Sequence, residues 1–360
     1  MAGADKSVLA EIVTDGADLT AEWFTTALGT PVSAVEIEPV EGGLIARMAR
    51  ARLSYEDGVE GPESVMVKYP TDDEGSLGLA VATGMYELEV SFYRDVAPLV
   101  TASIPTSHFA EYDPASHAFT LVIEDFTGRA RPGDVLTLLD LNEASAVLTE
   151  LVGLQAPTWN NPKLRELSWI ADPARTLGMF DQFPLGLRPF IERFGSALEP
   201  DHVKLFESVL PRAGDWARSW QPPTVAQHGD FRTDNILFGE APGEPPVTII
   251  DFQTVRLGPP GLDVAYFVGA SLSTEDRRSG DRELIEGYHE QLLAAGVEGF
   301  DFDACWQSYR EGALYGVFLF VGLASQVEST ERGDQVIAEQ IRRYADMAID
   351  LEAPQAAGLA

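Results

Sequence analysis

The apolar positions change period along the chain. Within residues 35–68, the segments VSAVEIEPV, ARMARARLSYED and SVMVKYP are broken by turn signals at Glu41-Gly42-Gly43 and Asp57-Gly58. Short apolar runs bounded this way predict two or three strands in an antiparallel meander. Before them, Ala21, Phe24, Ala27 and Leu28 follow helical spacing until Gly29-Thr30-Pro31, which predicts a short leading helix within residues 1–30, decorating the first lobe. After them, Leu88, Phe92, Val96 and Leu99 fall at i, i+4, i+8 and i+11, the stripe of one amphipathic helix over 84–100. Two more strands, SHFAEYD and HAFTLVIEDF, join at an Asp113-Pro114 turn, and Thr127-Gly128-Arg129 reads as a hinge.

Beyond the hinge the period is helical. Residues 142–156, 174–196, 200–220, 281–296 and 303–326 carry it, with Asn142 and Asp201 as capping candidates. One β-rich island interrupts them: HGDFRTDNILFGEAPGEPPVTIIDFQ holds two short apolar strands around a Gly/Pro-rich turn. The order predicts an α+β chain with an antiparallel sheet and one main helix in residues 1–126 and a mostly helical region in 127–360. No internal repeat or heptad run suggests a solenoid or a coiled coil.

Composition narrows the partners. With 360 residues and 45% hydrophobic content, the chain can bury the core of a two-lobed protein. Lys+Arg 25 against Asp+Glu 57 gives a formal net charge of -32, which opposes nucleic acid and anionic membranes. An anionic ligand would need cations supplied locally, by a metal ion or a few basic side chains. A cationic substrate would be welcome, although a very acidic surface more often serves solubility or reflects a salt-rich habitat. Cys305 has no partner for a disulfide and reads as a buried thiol beside Trp306. The N-terminus has neither a basic region nor a long apolar run, and the longest apolar stretch, 313–324, is too short for a bilayer. The expectation is a cytoplasmic protein.

The island carries the chemistry. His228-Gly229-Asp230 is followed by Asn235 and, after the second apolar strand, by Asp251. Asp230 alone would be an ordinary turn aspartate. Together the three supply what phosphoryl transfer from ATP needs: a carboxylate to deprotonate an attacking hydroxyl, and hard oxygen ligands for Mg²⁺. A hairpin over 236–250 would bring Asn235 and Asp251 to one end.

The ordered segments VMVKYP, ELEVSFYRDVAP, LVIEDF, QHGDFRTDNILF, IIDFQ and GLDVAYF resemble those of the aminoglycoside phosphotransferase and ecdysteroid-kinase-like families, small-molecule kinases related to protein kinases. The likeness is stronger to the second and covers most of the chain. It implies a protein-kinase-like two-lobed fold, ATP and Mg²⁺ as cofactors, and a small-molecule alcohol as acceptor. Residue by residue, it implies Asp230 as catalytic base, Asn235 and Asp251 as Mg²⁺ ligands, His228 as a brace for the loop and Asp263 as its support. Lys68, one of only four lysines, resembles the phosphate-holding lysine. Its carboxylate partner is Glu89, with Glu87 competing because helical phase does not separate them. Ile123 would face the adenine, with backbone hydrogen bonds around Glu124 and Phe126. Gly42 and Gly43 occupy the place of the phosphate-covering loop, though the pair is as readily a simple turn. Arg232 would steady the developing charge or serve as a solvated loop residue.

In related enzymes the acceptor site lies between the catalytic loop and the C-terminal helices, which points to residues 165–200 and 303–326. The aromatic positions Trp306, Tyr309, Leu314, Phe318 and Phe320 would pack that lobe or line an acceptor pocket. The acidic lobe permits an aminoglycoside-like cation, and the aromatic helices a steroid-like or other alcohol. A nucleotide-binding pseudokinase and a metal-dependent phosphohydrolase are the competing functions. The first should lack Asp230 or Asp251, and the second needs more histidine and carboxylate ligands than the island holds.

Overall fold

The computed structural model describes residues 10–40, 45–323 and 331–360. Gly42, Gly43 and residues 324–326 of the last expected helix lie outside them. The chain forms two compact units. One comprises Met1–Pro98, Ile104–Arg129 and Asp251–Gln253, the other Leu99–Ser103, Ala130–Ile250 and Thr254–Ala360.

In the first unit, β1 (Val32–Val40), β2 (Ala46–Tyr55), β3 (Ser64–Pro70), β4 (Ser107–Asp113) and β5 (Ala118–Glu124) form an antiparallel sheet in the order β1-β2-β3-β5-β4. Register sets Lys68 opposite Met48 on one neighbour and Leu121 on the other. Because successive side chains alternate between faces, Val65, Val67 and Val122 share one face. There they join Ala49, Ala51 and Phe24 in a buried apolar cluster. Met66, Lys68, Leu121 and Ile123 fall on the other. Phe24 comes from α1 (Ala21–Leu28), capped by the Thr20 side chain and closed by Gly29 at φ 66. Val13 and Leu19 are buried in the same cluster, and the Val13 amide donates to Thr120 Oγ1 at 2.6 Å. The leading segment is therefore part of the core, where the sequence suggested a decoration.

The single helix expected over 84–100 is three pieces, preceded by a helix the apolar pattern does not reveal. That helix, α2 (Glu74–Thr83), is capped by Asp73 and ends at Gly84, whose φ of 73 is left-handed. α3 (Met85–Ser91) follows, then a π-helical turn, Phe92–Val96, and a 3-10 turn, Ala97–Leu99. Leu88, Phe92 and Val96 are buried as the stripe required, but Leu99 is exposed. Tyr86 fixes α3 to the sheet by stacking on Phe119, with ring centroids 4.3 Å apart, and by donating to the Ile45 carbonyl at 2.6 Å.

In the second unit the helices are α4 (Leu141–Gln155), α5 (Pro162–Arg165), α6 (Ser168–Ala171), α7 (Pro173–Gln182), α8 (Leu187–Phe194), α9 (Pro200–Val209), α10 (Ala213–Arg218), α11 (Gly261–Ser271), α12 (Thr274–Ala294), α13 (Phe302–Leu323), α14 (Glu331–Asp350) and α15 (Ala353–Ala356). β6 (Ala130–Pro132), β8 (Ile236–Gly239) and β9 (Val247–Ile249) form one small sheet, and β7 (Val225–Gln227) pairs with β10 (Arg256–Gly258). Two expected helices are interrupted by 3-10 turns at Phe183–Gly186 and Leu210–Arg212, where Pro184 and Pro211 cannot continue the hydrogen-bond ladder. The caps also differ from expectation. Asp140, not Asn142, caps α4 in a capping box with Glu143, and Asp201 lies inside α9, whose cap residue is Glu199. α12 starts earlier than its apolar pattern, at a Ser273 cap.

α11 is buried along its whole length. It approaches α13 through glycines: a Cβ on Gly312 would lie 2.3 Å from the Gly261 carbonyl oxygen. Cys305 is buried, and burial pushes its thiol pKa up to about 12. Among the described residues no helix is long and apolar enough to cross a membrane.

Candidate active site

The first unit holds a charged cluster. Lys68 Nζ donates to Glu89 Oε1 at 2.6 Å and to Asp251 Oδ1 at 3.2 Å. Strand alternation puts Lys68 on the face opposite the α1 cluster, and α3 brings Glu89 to it. The structure thus selects Glu89 over Glu87. Burial works against the Lys68 ammonium, but the Asp251 and Glu89 carboxylates outweigh it and hold its pKa above the ordinary value. Burial pushes the Glu89 carboxyl up, and Lys68 pulls against it. Asp251 has a left-handed backbone, φ 69, and its Oδ2 accepts from Gln253 Nε2 at 3.2 Å. Between them Phe252 stacks on Phe92, with centroids 3.6 Å apart and planes within 8°.

On that sheet face Ile123 pairs with Met66 in register and is buried. The Glu124 amide donates to the Thr106 carbonyl at 2.9 Å, and the Phe126 carbonyl accepts from the Arg129 amide at 2.9 Å. The Glu124 amide is thereby committed, whereas the Phe126 carbonyl keeps a second lone pair. Arg129 braces this stretch, bonding Glu124 Oε1 at 2.7 Å and lying over the Phe126 ring at 4.6 Å.

The second unit holds the loop that carries Asp230. Asp263, at the start of α11 and fully buried, accepts from the His228 amide at 2.7 Å and the Gly229 amide at 3.0 Å. Burial raises its carboxyl pKa, and these amides pull against that. His228 Nε2 lies 2.8 Å from the Ile250 carbonyl, and its Nδ1 faces the Asp230 amide at 3.3 Å. A carbonyl only accepts and an amide only donates, so the ring is the neutral Nε2–H tautomer. Gly229, at φ 86, is required here, because a Cβ would lie 2.3 Å from the Thr254 carbonyl oxygen. These contacts tie His228 and Asp263 to the backbone of the loop that carries Asp230.

The Asp230 carboxylate is held on both oxygens. Oδ1 accepts from Tyr266 at 3.1 Å and lies 3.2 Å from Arg232 Nε; Oδ2 accepts from Asn235 Nδ2 at 3.2 Å. Asn235 Nδ2 also donates to the Asp230 carbonyl at 2.8 Å, so both bonds use the amide nitrogen and turn the amide oxygen elsewhere. Strand register pairs Ile236 with Ile249, and the Ile250 amide donates to the Asn235 carbonyl at 3.0 Å. The hairpin thus sets Asn235 level with the residue before Asp251. Arg232 also reaches Asp234 at 3.1 Å, and the Asp230 charge raises its pKa despite burial.

Tyr266 and Tyr315 escaped the sequence reading. Burial and the Asp230 charge keep the Tyr266 phenol protonated, as a donor. Tyr315 donates to the Gly229 carbonyl at 2.5 Å. For Tyr266 a signal existed: it stands three residues after Asp263 in GLDVAYF, on the same helix face. Tyr315 sits in a uniformly apolar run and offered none. Of the aromatic stripe, Tyr309, Leu314 and Phe318 are buried and pack the helical unit.

Residues 196–296 match the ecdysteroid kinase-like family model, a span containing His228, Asp230, Arg232, Asn235, Asp251 and Asp263. The resemblance read from the sequence motifs is thus shown. An uncharacterized kinase-like protein of Caenorhabditis elegans is 24% identical over 236 residues; the alignment covers 62% of this chain and 61% of that relative's length. Among solved structures, the gentamicin complex of APH(2")-IIa matches with a TM-score of 0.51 at 14% identity, covering 94% of this chain and 99% of that one. Plasmodium vivax ethanolamine kinase matches with 0.51 at 9% identity, covering 100% and 97%. Amicoumacin kinase in complex with AMP-PNP and Ca²⁺ matches with 0.52 at 11% identity, covering 86% and 87%. The chain has the α+β fold of these kinases, an antiparallel sheet followed by a mostly helical part.

Proposed function

We propose that this chain is an ATP- and Mg²⁺-dependent phosphotransferase that moves the γ-phosphoryl group to a hydroxyl of a small molecule. The observation that carries the reading is Lys68 held between Glu89 and Asp251. One ammonium against two carboxylates leaves a net negative charge in a largely buried cluster, and such a cluster calls for a further cation. Asp251 offers hard oxygens and Asn235 an amide oxygen, a donor set that suits Mg²⁺ and not a soft metal. When bound, the metal would neutralise phosphate charge and orient the nucleotide.

The roles then follow from the residues. Lys68 binds phosphate oxygens while Glu89 keeps it in place. Ile123 packs against adenine, with backbone groups around Glu124 and Phe126 reading its edge. Asp230 takes the proton of the acceptor hydroxyl as that oxygen bonds to the γ-phosphorus and the bond to ADP breaks. Tyr266 and Asn235 aim the carboxylate, and Arg232 steadies the charge that develops. His228 and Asp263 hold the loop.

A screen of alcohols by ATP consumption tests the reading, spanning aminoglycoside-like cations, amino alcohols and steroid-like alcohols, with Asp230→Ala as control. Transfer to one class, abolished in the control, is expected. Nucleotide binding without transfer to any alcohol would replace it with the pseudokinase reading, and turnover that persists without ATP would point to a phosphohydrolase.

A further inference from the structure

Tyr93 stands four residues after Glu89, inside the π-helical turn Phe92–Val96. Its ring is buried, edge-on to Phe252 at 6.0 Å and 85° and beside Phe92 at 5.5 Å. The ring is thus packed against the residue that follows Asp251. Its hydroxyl is not accommodated in the same way: the oxygen is buried and has no hydrogen-bond partner among the described residues. An unpaired buried hydroxyl is destabilising, and phenylalanine would fill the same space without it. π-helical turns recur at functional sites. Burial, and after it the Glu89 and Asp251 charges, keep this phenol protonated, so it is a donor.

We propose that Tyr93 is a positioning residue, its hydroxyl holding one buried water shared with the carboxylates of Glu89 and Asp251. Three polar partners are typical of a buried water. Among the described residues, Lys68 alone is hydrogen-bonded to both carboxylates. A phosphate taking up Lys68, or a cation taking up Asp251, would loosen that tie, and the Tyr93 water keeps both carboxylates in place meanwhile. This consequence rests on the kinase reading; the water does not.

Two measurements test the proposal. A crystal structure resolving ordered solvent should show a water at Tyr93 Oη within hydrogen-bond distance of both Glu89 and Asp251, and a dry hydroxyl, or a water that reaches neither or only one carboxylate, overturns the proposal. Titration calorimetry with ADP in excess Mg²⁺ should find Tyr93→Phe binding roughly tenfold weaker than the unaltered protein, with the melting temperature of the ligand-free variant unchanged or raised. Equal ADP affinity in the two proteins overturns the positioning role and leaves the kinase reading standing. Failure of the unaltered protein to bind ADP removes the kinase reading, and the water is then decided by the crystal structure.

Discussion

The two units hold the carboxylates of the candidate site by different physical means. In the first, Lys68, Glu89 and Asp251 meet as bare charges, with side-chain exposures of 13%, 4% and 26%. In the second, Asp230 is equally accessible at 28%, but its loop is built on backbone bonds to Asp263, His228 and Tyr315. A charge cluster of that kind is sensitive to the number of charges it contains. A loop braced through its backbone is sensitive to geometry, because each brace removed leaves a buried amide or carbonyl unpaired. The first arrangement suits a site that exchanges one cation or anion for another, the second a site that must aim a single carboxylate.

The contrast can be broken at several points. The largest effect belongs to Asp230→Ala, which should lower kcat by about 10²–10⁴-fold, with a lower melting temperature because the buried Tyr266 hydroxyl and Arg232 lose a partner. Retained turnover would remove the base. Asp263→Ala should act on the same loop through the fold, costing about 2–5 kcal/mol in urea denaturation because the His228 and Gly229 amides lose their acceptor; a loss under about 1 kcal/mol would mean that the brace is idle. In the first unit, Glu89→Gln keeps the shape and removes one charge. The KM for ATP should rise roughly ten- to a hundredfold, as expected for losing a charge-assisted hydrogen bond of about 1.5–3 kcal/mol, with stability little changed. A large stability loss there would make the cluster structural.

The smallest effect concerns Glu150, whose carboxylate accepts from the Ser103 amide at 2.6 Å. Burial raises its pKa, and the amide pulls against that. The native state therefore holds this proton to a higher pH than the unfolded chain. The stability this confers is complete below the unfolded pKa of about 4.3 and is lost as pH rises through the folded value. Glu150→Gln keeps an acceptor for Ser103 and should gain up to about 1 kcal/mol near pH 8, and nothing near pH 4. Equal gains at both pH values would show that the charge is irrelevant.

Several features were legible because they depend on neighbours in sequence. The strands of the first sheet follow the expected segments closely, since alternation and turn residues are local. Asp230, Asn235 and Asp251 stood out because a short hairpin fixes their spacing. The interruptions at Pro184 and Pro211 were readable in principle, as was the Asp73 cap of α2. The early start of α12 was not: residues 274–280 are mostly polar, and Arg277 is buried there only because Asp281 and Asp350 pair with it.

The sequence by itself determined which residue types were available for phosphoryl transfer, their order, and the strand and helix character of the segments bearing them. These follow from side-chain chemistry and backbone period, which act over a few residues. Only the tertiary structure decided that Glu89 and not Glu87 meets Lys68, that Asp251 belongs with the sheet unit, that Tyr266 bonds Asp230, and that the Tyr93 hydroxyl is buried without a partner among the described residues. Each depends on segments distant in sequence packing at a particular rotation and depth, which neither periodicity nor motif spacing encodes.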